Sequence, residues 1–230
     1  VTTTFLKATL QLILRPNFFF KKVSYKNYFE IIKFGTSISV SKLLIVIANN
    51  IDKIAIGNLF GVEILGIYNV AFQILVIPTK FLGVSLSKVL FPAISVKQKN
   101  KESTSKALNY SLTIISLFSF CLSAFIISNA SEIINIFLGA KWDLVILPLK
   151  IFSLAIMARV CSKLCESAIT AYGKVSKLVI LKLLNLVNIL SGIYFGQFFD
   201  FIGVAWGICI AIIFNFILIF MVTFKSISIE

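Results

Sequence analysis

The chain has 230 residues, of which 59% are hydrophobic and 13% are charged, and its mean hydropathy is +1.00. A water-soluble domain of this composition would expose large apolar surfaces, so the expected solvent is lipid. The net charge is +13, but the basic residues lie mostly between apolar stretches, which indicates membrane topology and not nucleic-acid binding. A spanning helix needs about 20 apolar residues, so this length has room for six of them and for no soluble catalytic domain.

In chain order, residues 1–30 are predicted to be the end of a preceding membrane helix followed by a basic cytoplasmic linker. A lobe of six transmembrane helices is predicted over residues 31–225. Long apolar runs without strict alternation indicate helices and not barrel strands, so the expected fold class is all-α, a polytopic membrane helix bundle. Because the chain begins at Val1, it is expected to be a piece of a longer polypeptide. The spans are expected at about 31–56, 63–95 (with Pro78 as a possible hinge), 103–127, 143–171, 175–198 and 201–224.

Lysine and arginine residues fall on alternate connections between these spans. Residues 15–33 and 88–106 carry five each, residues 172–177 carry two, and Lys225 follows the last span. The other connections carry only Lys141. By the positive-inside rule, the basic connections are predicted to be cytoplasmic.

Basic residues inside the predicted spans outnumber acidic ones. Charge near the bilayer centre is costly, so such side chains usually face a bundle interior or a water-filled cavity. The resulting net charge of +4 predicts a cavity that attracts anions. The set consists of Lys42, Lys53, Lys80, Arg159, Lys163 and Lys182 against Asp52 and Glu166.

Some of these residues have simpler interpretations. Lys53 and Lys182 lie near helix ends, where snorkelling to the interface explains them equally well. Glu166 and Lys163 are expected to pair within one helix, and Asp52 could pair with a lysine of its own helix. The interior asparagines are as consistent with hydrogen bonds between helices as with substrate contacts. These are Asn49, Asn50, Asn185, Asn188 and Asn215.

The sequence contains no pattern typical of an enzyme, a metal site or a cofactor site. It has no histidine and no phosphate-binding glycine loop. Its four cysteines lie in apolar runs and are predicted to be buried small hydrophobic residues. Composition and spacing therefore predict a membrane transporter with a cationic pathway, without naming its cargo. The cysteines are Cys121, Cys161, Cys165 and Cys209.

Several short motifs are spread over most of the chain from about residue 15 onward. They are Phe34-Gly35, Asp52, Ile56-Gly57, Leu59, Gly61, Leu65-Gly66, Tyr68, Ala71, Pro78, Phe91-Pro92-Ala93-Ile94-Ser95 with Gln98, Gly139 with Lys141-Trp142, and Ala171-Tyr172-Gly173-Lys174. Together they resemble the motifs of the polysaccharide flippases of the multidrug, oligosaccharidyl-lipid and polysaccharide exporter superfamily.

The resemblance implies two six-helix lobes, of which this chain would be the second. It implies that the protein flips an undecaprenyl-diphosphate-linked oligosaccharide across the bacterial inner (cytoplasmic) membrane by alternating access, for synthesis of O-antigen, capsule or exopolysaccharide. The implied partners are this lipid-linked oligosaccharide, membrane lipid and a polysaccharide polymerase, with no cofactor and no nucleic acid. Lys42, Lys80, Arg159 and Lys163 are the predicted substrate-binding residues. Asp52 and Glu166 are candidates for ion coupling.

Two other functions remain open at the level of sequence. A multidrug exporter of the same superfamily would be expected to have acidic or aromatic cavity residues, whereas the predicted interior is cationic. A non-transporting membrane scaffold would use its polar faces only to bind partner helices. Solvent access at Lys42 and Arg159 would separate a scaffold from a transporter.

Overall fold

The computed structural model describes residues 50–85, 88, 101–172 and 175–228. All regular elements in these ranges are helical, which confirms the predicted all-α membrane bundle. In chain order they are α1 (Ile51–Pro78), a π-helical turn (Thr79–Val84), α2 (Lys101–Ser128), α3 (Ala130–Phe137), a 3₁₀ segment (Ala140–Val145), α4 (Ile146–Ser153), α5 (Ile156–Ala171), α6 (Val175–Gly196), a 3₁₀ turn (Gln197–Phe199) and α7 (Asp200–Ser228).

Three described stretches are long and apolar enough to cross a membrane. They are Ile51–Gly83, which is interrupted at Gly61, Thr104–Ser128, and Lys177–Lys225, which contains the two helices α6 and α7. Ala140–Ser153 and Ile156–Ala171 together would form a fourth span, bent by 49°. Most of the predicted span 31–56 lies outside the described residues, so a lobe of six spans stays a prediction.

Helix α1 folds back on itself at Gly61. Its backbone there has a φ of 82° and a ψ of 179°, a conformation that glycine adopts readily. The hydroxyl of Tyr68 donates a hydrogen bond to Asp52, 16 residues away, whereas that separation along a straight helix would be about 24 Å. The predicted turn between the first two spans therefore lies at Gly61.

Pro78 does not end its helix. Proline has no amide hydrogen and its ring clashes with the preceding turn, and here the chain continues through the wider π-helical turn Thr79–Val84. This turn packs against α5. A Cβ atom added at Gly83 would lie 3.1 Å from the Cβ of Lys163, so the glycine allows the close approach of α5.

The span predicted as a single helix over residues 143–171 is broken at Leu154 and Ala155. The Ser153 carbonyl accepts a hydrogen bond from the hydroxyl of Ser123 on α2 at 2.5 Å. The Ser153 hydroxyl in turn donates to the carbonyl of Leu149 at 2.7 Å. A carbonyl satisfied by a neighbouring helix does not require the next helical turn, so these bonds allow the break and fix the direction of α5.

Helices α6 and α7 pack closely, as an antiparallel hairpin, at two pairs of glycines. A Cβ atom at Gly192 would lie 2.6 Å from the carbonyl oxygen of Gly207, and a Cβ atom at Gly196 would lie 2.6 Å from that of Gly203. Only glycine therefore permits this spacing. In each helix the two glycines are four residues apart, a spacing typical of close contacts between membrane helices.

Large apolar side chains cover much of the exterior. Phe120, Phe137, Ile136 and Phe199 are each more than 60% exposed, whereas Tyr68 and Phe152 are fully buried. This arrangement, apolar both inside and outside, is that of a protein surrounded by lipid.

Candidate functional site

A polar cavity of about 90 Å³ lies among α1, α5, α6 and α7. Three basic and two acidic side chains line it, which leaves one net positive charge. Each of these four helices contributes at least one polar residue. The charged residues are Asp52, Arg159, Lys163, Glu166 and Lys182, and Ser162, Asn185 and Asn215 add uncharged polar groups.

Arg159 lies on α5, four residues after the break at Leu154 and Ala155. Its guanidinium carbon is 4.7 Å from the centre of the Phe72 ring, which is a cation–π contact. Phe72 is held by ring contacts with Tyr68 at 5.2 Å and with Phe152 at 5.7 Å. Among the described residues, Arg159 has no ion-pair partner and its Nε has no hydrogen-bond acceptor. The guanidinium is therefore positioned by aromatic rings and remains available to an anion.

Glu166 connects two lysines of different helices. Its Oε2 lies 3.0 Å from the Nζ of Lys163, one turn earlier on α5, which confirms the predicted intrahelical pair. Its Oε1 pairs with Lys182 of α6. The Glu166 side chain is 17% exposed, whereas those of Lys163 and Lys182 are 34% and 43% exposed. The carboxylate is thus the most buried member of the group, and both lysines retain accessible surface.

Within the part of the chain that the structure describes, Asp52 has one carboxylate oxygen with a hydrogen-bond partner and one without. Its residue is 5% exposed, and its Oδ2 accepts the hydrogen bond from Tyr68. Its Oδ1 has no partner among the described residues. Lys53, the suggested partner on the same helix, instead lies 3.4 Å from the Oδ1 of Asn50.

Unsatisfied polar atoms concentrate around this cavity. Buried polar groups normally have hydrogen-bond partners, so such a cluster indicates a place for water or for a polar ligand. Asn215, which is 8% exposed, is one of the contributors. In the described part of the chain, the cavity-lining residues that carry an unpartnered buried atom are Asp52 (Oδ1), Arg159 (Nε), Asn185 (Oδ1) and Asn215 (Oδ1).

The structure brings some of the predicted site residues together and leaves others apart. Arg159 and Lys163, predicted to bind substrate, and Asp52 and Glu166, predicted to couple ions, all line the cavity. Lys80 is exposed and does not line it. Lys42 lies outside the described residues.

Lys182 and Asn185 are cavity residues that the sequence left undecided. Lys182 had an equally good explanation as a snorkelling residue, yet it pairs with Glu166. Asn185 and Ile189 follow at spacings of three and seven, so they share its helix face and line the same cavity. Residues at this spacing form a stripe along one helix face, and its polar members indicate that the face points into the bundle.

The expectation that all four cysteines are buried is wrong for Cys121. Cys161, Cys165 and Cys209 are buried, whereas Cys121 is exposed on α2. Its neighbours Phe118, Phe120 and Phe125 are also exposed, so this face of α2 is an exposed apolar surface. A long apolar run has the same composition on its buried and lipid-facing sides, which is why the sequence does not distinguish them.

Comparison with known proteins identifies the family. A model of the polysaccharide biosynthesis protein family matches residues 2–147. The chain belongs to this family. The match agrees with the resemblance to polysaccharide flippases, and it gives this multi-pass membrane protein a role in polysaccharide biosynthesis.

Relatives from three bacteria resemble this chain. It is 31% identical over 160 residues to the teichuronic acid biosynthesis protein TuaB of Bacillus subtilis, covering 69% of this chain and 32% of TuaB. It is 24% identical over 202 residues to the lipopolysaccharide biosynthesis protein WzxC of Escherichia coli, covering 85% of this chain and 40% of WzxC. An uncharacterized membrane protein in the cps region of Klebsiella pneumoniae is 23% identical over 195 residues, covering 84% of this chain and 40% of that protein.

The chain spans less than half the length of these relatives. No solved structure matches it.

Proposed function

We propose that the full-length protein moves a lipid-linked oligosaccharide, attached to its polyprenyl carrier through a diphosphate, across the bacterial inner membrane. This chain would supply an anion-binding part of the pathway, and the protein would act as a transporter and not as an enzyme. The observation that carries the proposal is Arg159, a guanidinium held by an aromatic ring in an interior cavity without an ion-pair partner among the described residues. Isolated buried charge is costly, so such a group is expected where a ligand completes the pairing.

The neighbouring charges suit a diphosphate. A guanidinium offers a planar set of donors that matches phosphate oxygens, and lysine ammonium groups add point charges. Lys163 and Lys182 lie in the same cavity as Arg159. Because both lysine side chains are partly exposed, their ammonium groups can pair with a phosphate oxygen in place of Glu166 while the helices stay where they are.

The names of the relatives support this class of cargo. They include a teichuronic acid biosynthesis protein and a lipopolysaccharide biosynthesis protein. We propose that the cargo passes by alternating access between this chain and the rest of the full-length protein, and reaches a polysaccharide polymerase on the outer side. Asp52 and Glu166 are the proposed ion-coupling groups because both carboxylates line the cavity that binds the anion.

The proposal is tested in cells whose full-length gene is deleted and replaced by variants. We expect deletion to accumulate lipid-linked oligosaccharide on the cytoplasmic leaflet, measured by its resistance to labelling from the outer side. Wild-type protein should restore export. Arg159→Gln should reduce the export rate about 10- to 100-fold, because a hydrogen bond to a charged group contributes about 1.5–3 kcal/mol.

Lys141→Gln is the matched control, since Lys141 is exposed and does not line the cavity. It removes the same charge and should export normally at equal protein level. Normal export by Arg159→Gln, or no accumulation after deletion, would contradict the proposal.

A further inference from the structure

A second groove lies between α6 and α7, at the end where α6 begins and α7 ends. It has a volume of about 350 Å³. Its wall is apolar and includes Ile180 and Leu184 of α6 and Leu218 and Val222 of α7. Lys177 and Lys225 line its end. This groove shares no residue with the cavity around Arg159, so it is a separate feature.

The two lysines mark one level of the membrane. Lys177 lies in the third position of α6 and Lys225 in the last turn of α7, so the antiparallel hairpin brings them to the same end. Both are exposed. Their connections are among those predicted to be cytoplasmic from the distribution of basic residues. No acidic residue belongs to the described lining of the groove.

The length of the groove along the helices fits a lipid headgroup and the first part of an acyl chain. Lys177 and Leu184 are seven residues apart on α6, and Leu218 and Lys225 are seven apart on α7. At 1.5 Å per residue, the wall extends about 10 Å from the lysines towards the membrane centre. A ligand that fits must therefore be anionic at one end and apolar for two helical turns.

We propose that this groove binds an anionic phospholipid of the cytoplasmic leaflet. The phosphate lies between Lys177 and Lys225, and an acyl chain packs along Ile180, Leu184, Leu218 and Val222. Basic pockets between membrane helices on the cytoplasmic side are suited to acidic headgroups. A second protein helix would cover the apolar wall, but only an anionic partner also neutralises both lysines. The proposal does not depend on which cargo the protein transports.

The experiment uses the purified full-length protein in detergent, titrated with phosphatidylglycerol or with phosphatidylcholine carrying the same acyl chains. Bound lipid is counted by native mass spectrometry. We expect phosphatidylglycerol to bind more tightly. The double substitution Lys177→Gln with Lys225→Gln should weaken its binding roughly 10- to 30-fold and leave phosphatidylcholine unchanged, because each lysine contributes about a factor of five.

Two further variants show whether the groove itself is the site. Lys141 lies at the start of the fourth span, whereas Lys177 follows the end of that span. The substitution Lys141→Gln should therefore not change binding. The substitution Leu184→Trp keeps both lysines but fills the groove, and it should weaken phosphatidylglycerol binding at least several-fold. Circular dichroism and the melting temperature verify that each variant is folded.

Three outcomes would overturn the proposal. The first is equal affinity for the two lipids, and the second is equal weakening by Lys141→Gln, which would indicate a bulk charge effect. The third is displacement of phosphatidylglycerol by a polyprenyl phosphate at a much lower concentration, which would assign the groove to the carrier lipid instead.

Discussion

Glu166 uses one carboxylate to hold lysines from two helices, and these are lysines that an anionic cargo would also contact. Each oxygen serves one lysine, with Lys163 at 3.0 Å from Oε2 and Lys182 on Oε1. A cavity with one net positive charge has a lower free-energy cost inside a membrane than a cavity with two or three. On the proposed function, Glu166 therefore lowers the positive charge of the empty site and competes with the cargo when the cargo arrives.

This competition determines the sign of one substitution. We expect Glu166→Gln to tighten binding of a short polyprenyl diphosphate to the purified full-length protein roughly threefold to tenfold, because partly exposed ion pairs contribute about 1 kcal/mol or less each. The amide keeps the shape of the side chain but not its charge. Isothermal titration calorimetry measures the affinity.

Glu132→Gln is the control, since it makes the same charge change at an exposed position of α3. It should leave the affinity unchanged. Weaker binding by Glu166→Gln would instead mean that Glu166 positions the lysines for the ligand, and the competition model would be wrong.

At the scale of elements, the hairpin of α6 and α7 depends on backbone contact at its glycines. The atoms that a new Cβ would meet at Gly192 belong to the backbone of Gly207, so no side chain can rotate away. The two helices must move apart to accept it. That movement would also change the cavity, because Lys182 and Asn185 of α6 face Asn215 of α7 across it.

We therefore expect Gly192→Ala to destabilise the purified protein by about 1–3 kcal/mol, the range for overpacked cores. The melting temperature in detergent measures the effect. Gly66→Ala is the matched control, because a Cβ there has nothing within 4 Å. It should melt at the wild-type temperature or above, since alanine favours a helix more than glycine does. Equal melting temperatures for the two variants would contradict the close glycine contact.

The elements differ in how well the sequence predicts them. The apolar runs place α2, α6 and α7 within a few residues, because length and composition decide whether a helix can span a bilayer. The break at Ser153 depends on a hydrogen bond from Ser123, 30 residues away, and a local pattern does not contain such a contact. The spacing of four between glycines occurs in both helices and is a local signal for this contact, which the predictions above did not include.

At the scale of the whole molecule, charge distribution predicts which ends face the cytoplasm. We expect a cysteine at position 141 to react with an impermeant maleimide in intact cells expressing the full-length protein. Cysteines at positions 177 and 225 should react only after the membrane is opened. The reason is that basic connections are retained on the cytoplasmic side. The full-length protein without an introduced cysteine gives the background labelling, including that of the four native cysteines in this chain. Labelling of position 177 or 225 in intact cells would show that the predicted topology is inverted.

The sequence predicted the candidate site only in part, because contacts between distant segments complete it. Arg159, Lys163 and Glu166 are spaced by four and three residues, which puts them on one face of a helix, and all three line the cavity. Which helix meets that face depends on packing between distant segments, so the partnership of Glu166 with Lys182 did not follow from the sequence. The same holds for Tyr68 and Asp52, which meet because the chain reverses at Gly61.

The close pairing of α6 and α7 also bears on how the protein is made. As the nascent chain leaves the ribosome, α6 would enter the translocon with three polar side chains, Lys182, Asn185 and Asn188, and polar groups within a spanning segment raise the cost of insertion. The short turn Gln197–Phe199 lets the more apolar α7 join it at once. We expect α6 alone to insert poorly in a glycosylation-based assay and to insert well when α7 follows. Efficient insertion of α6 by itself would show that the hairpin is not needed at this stage.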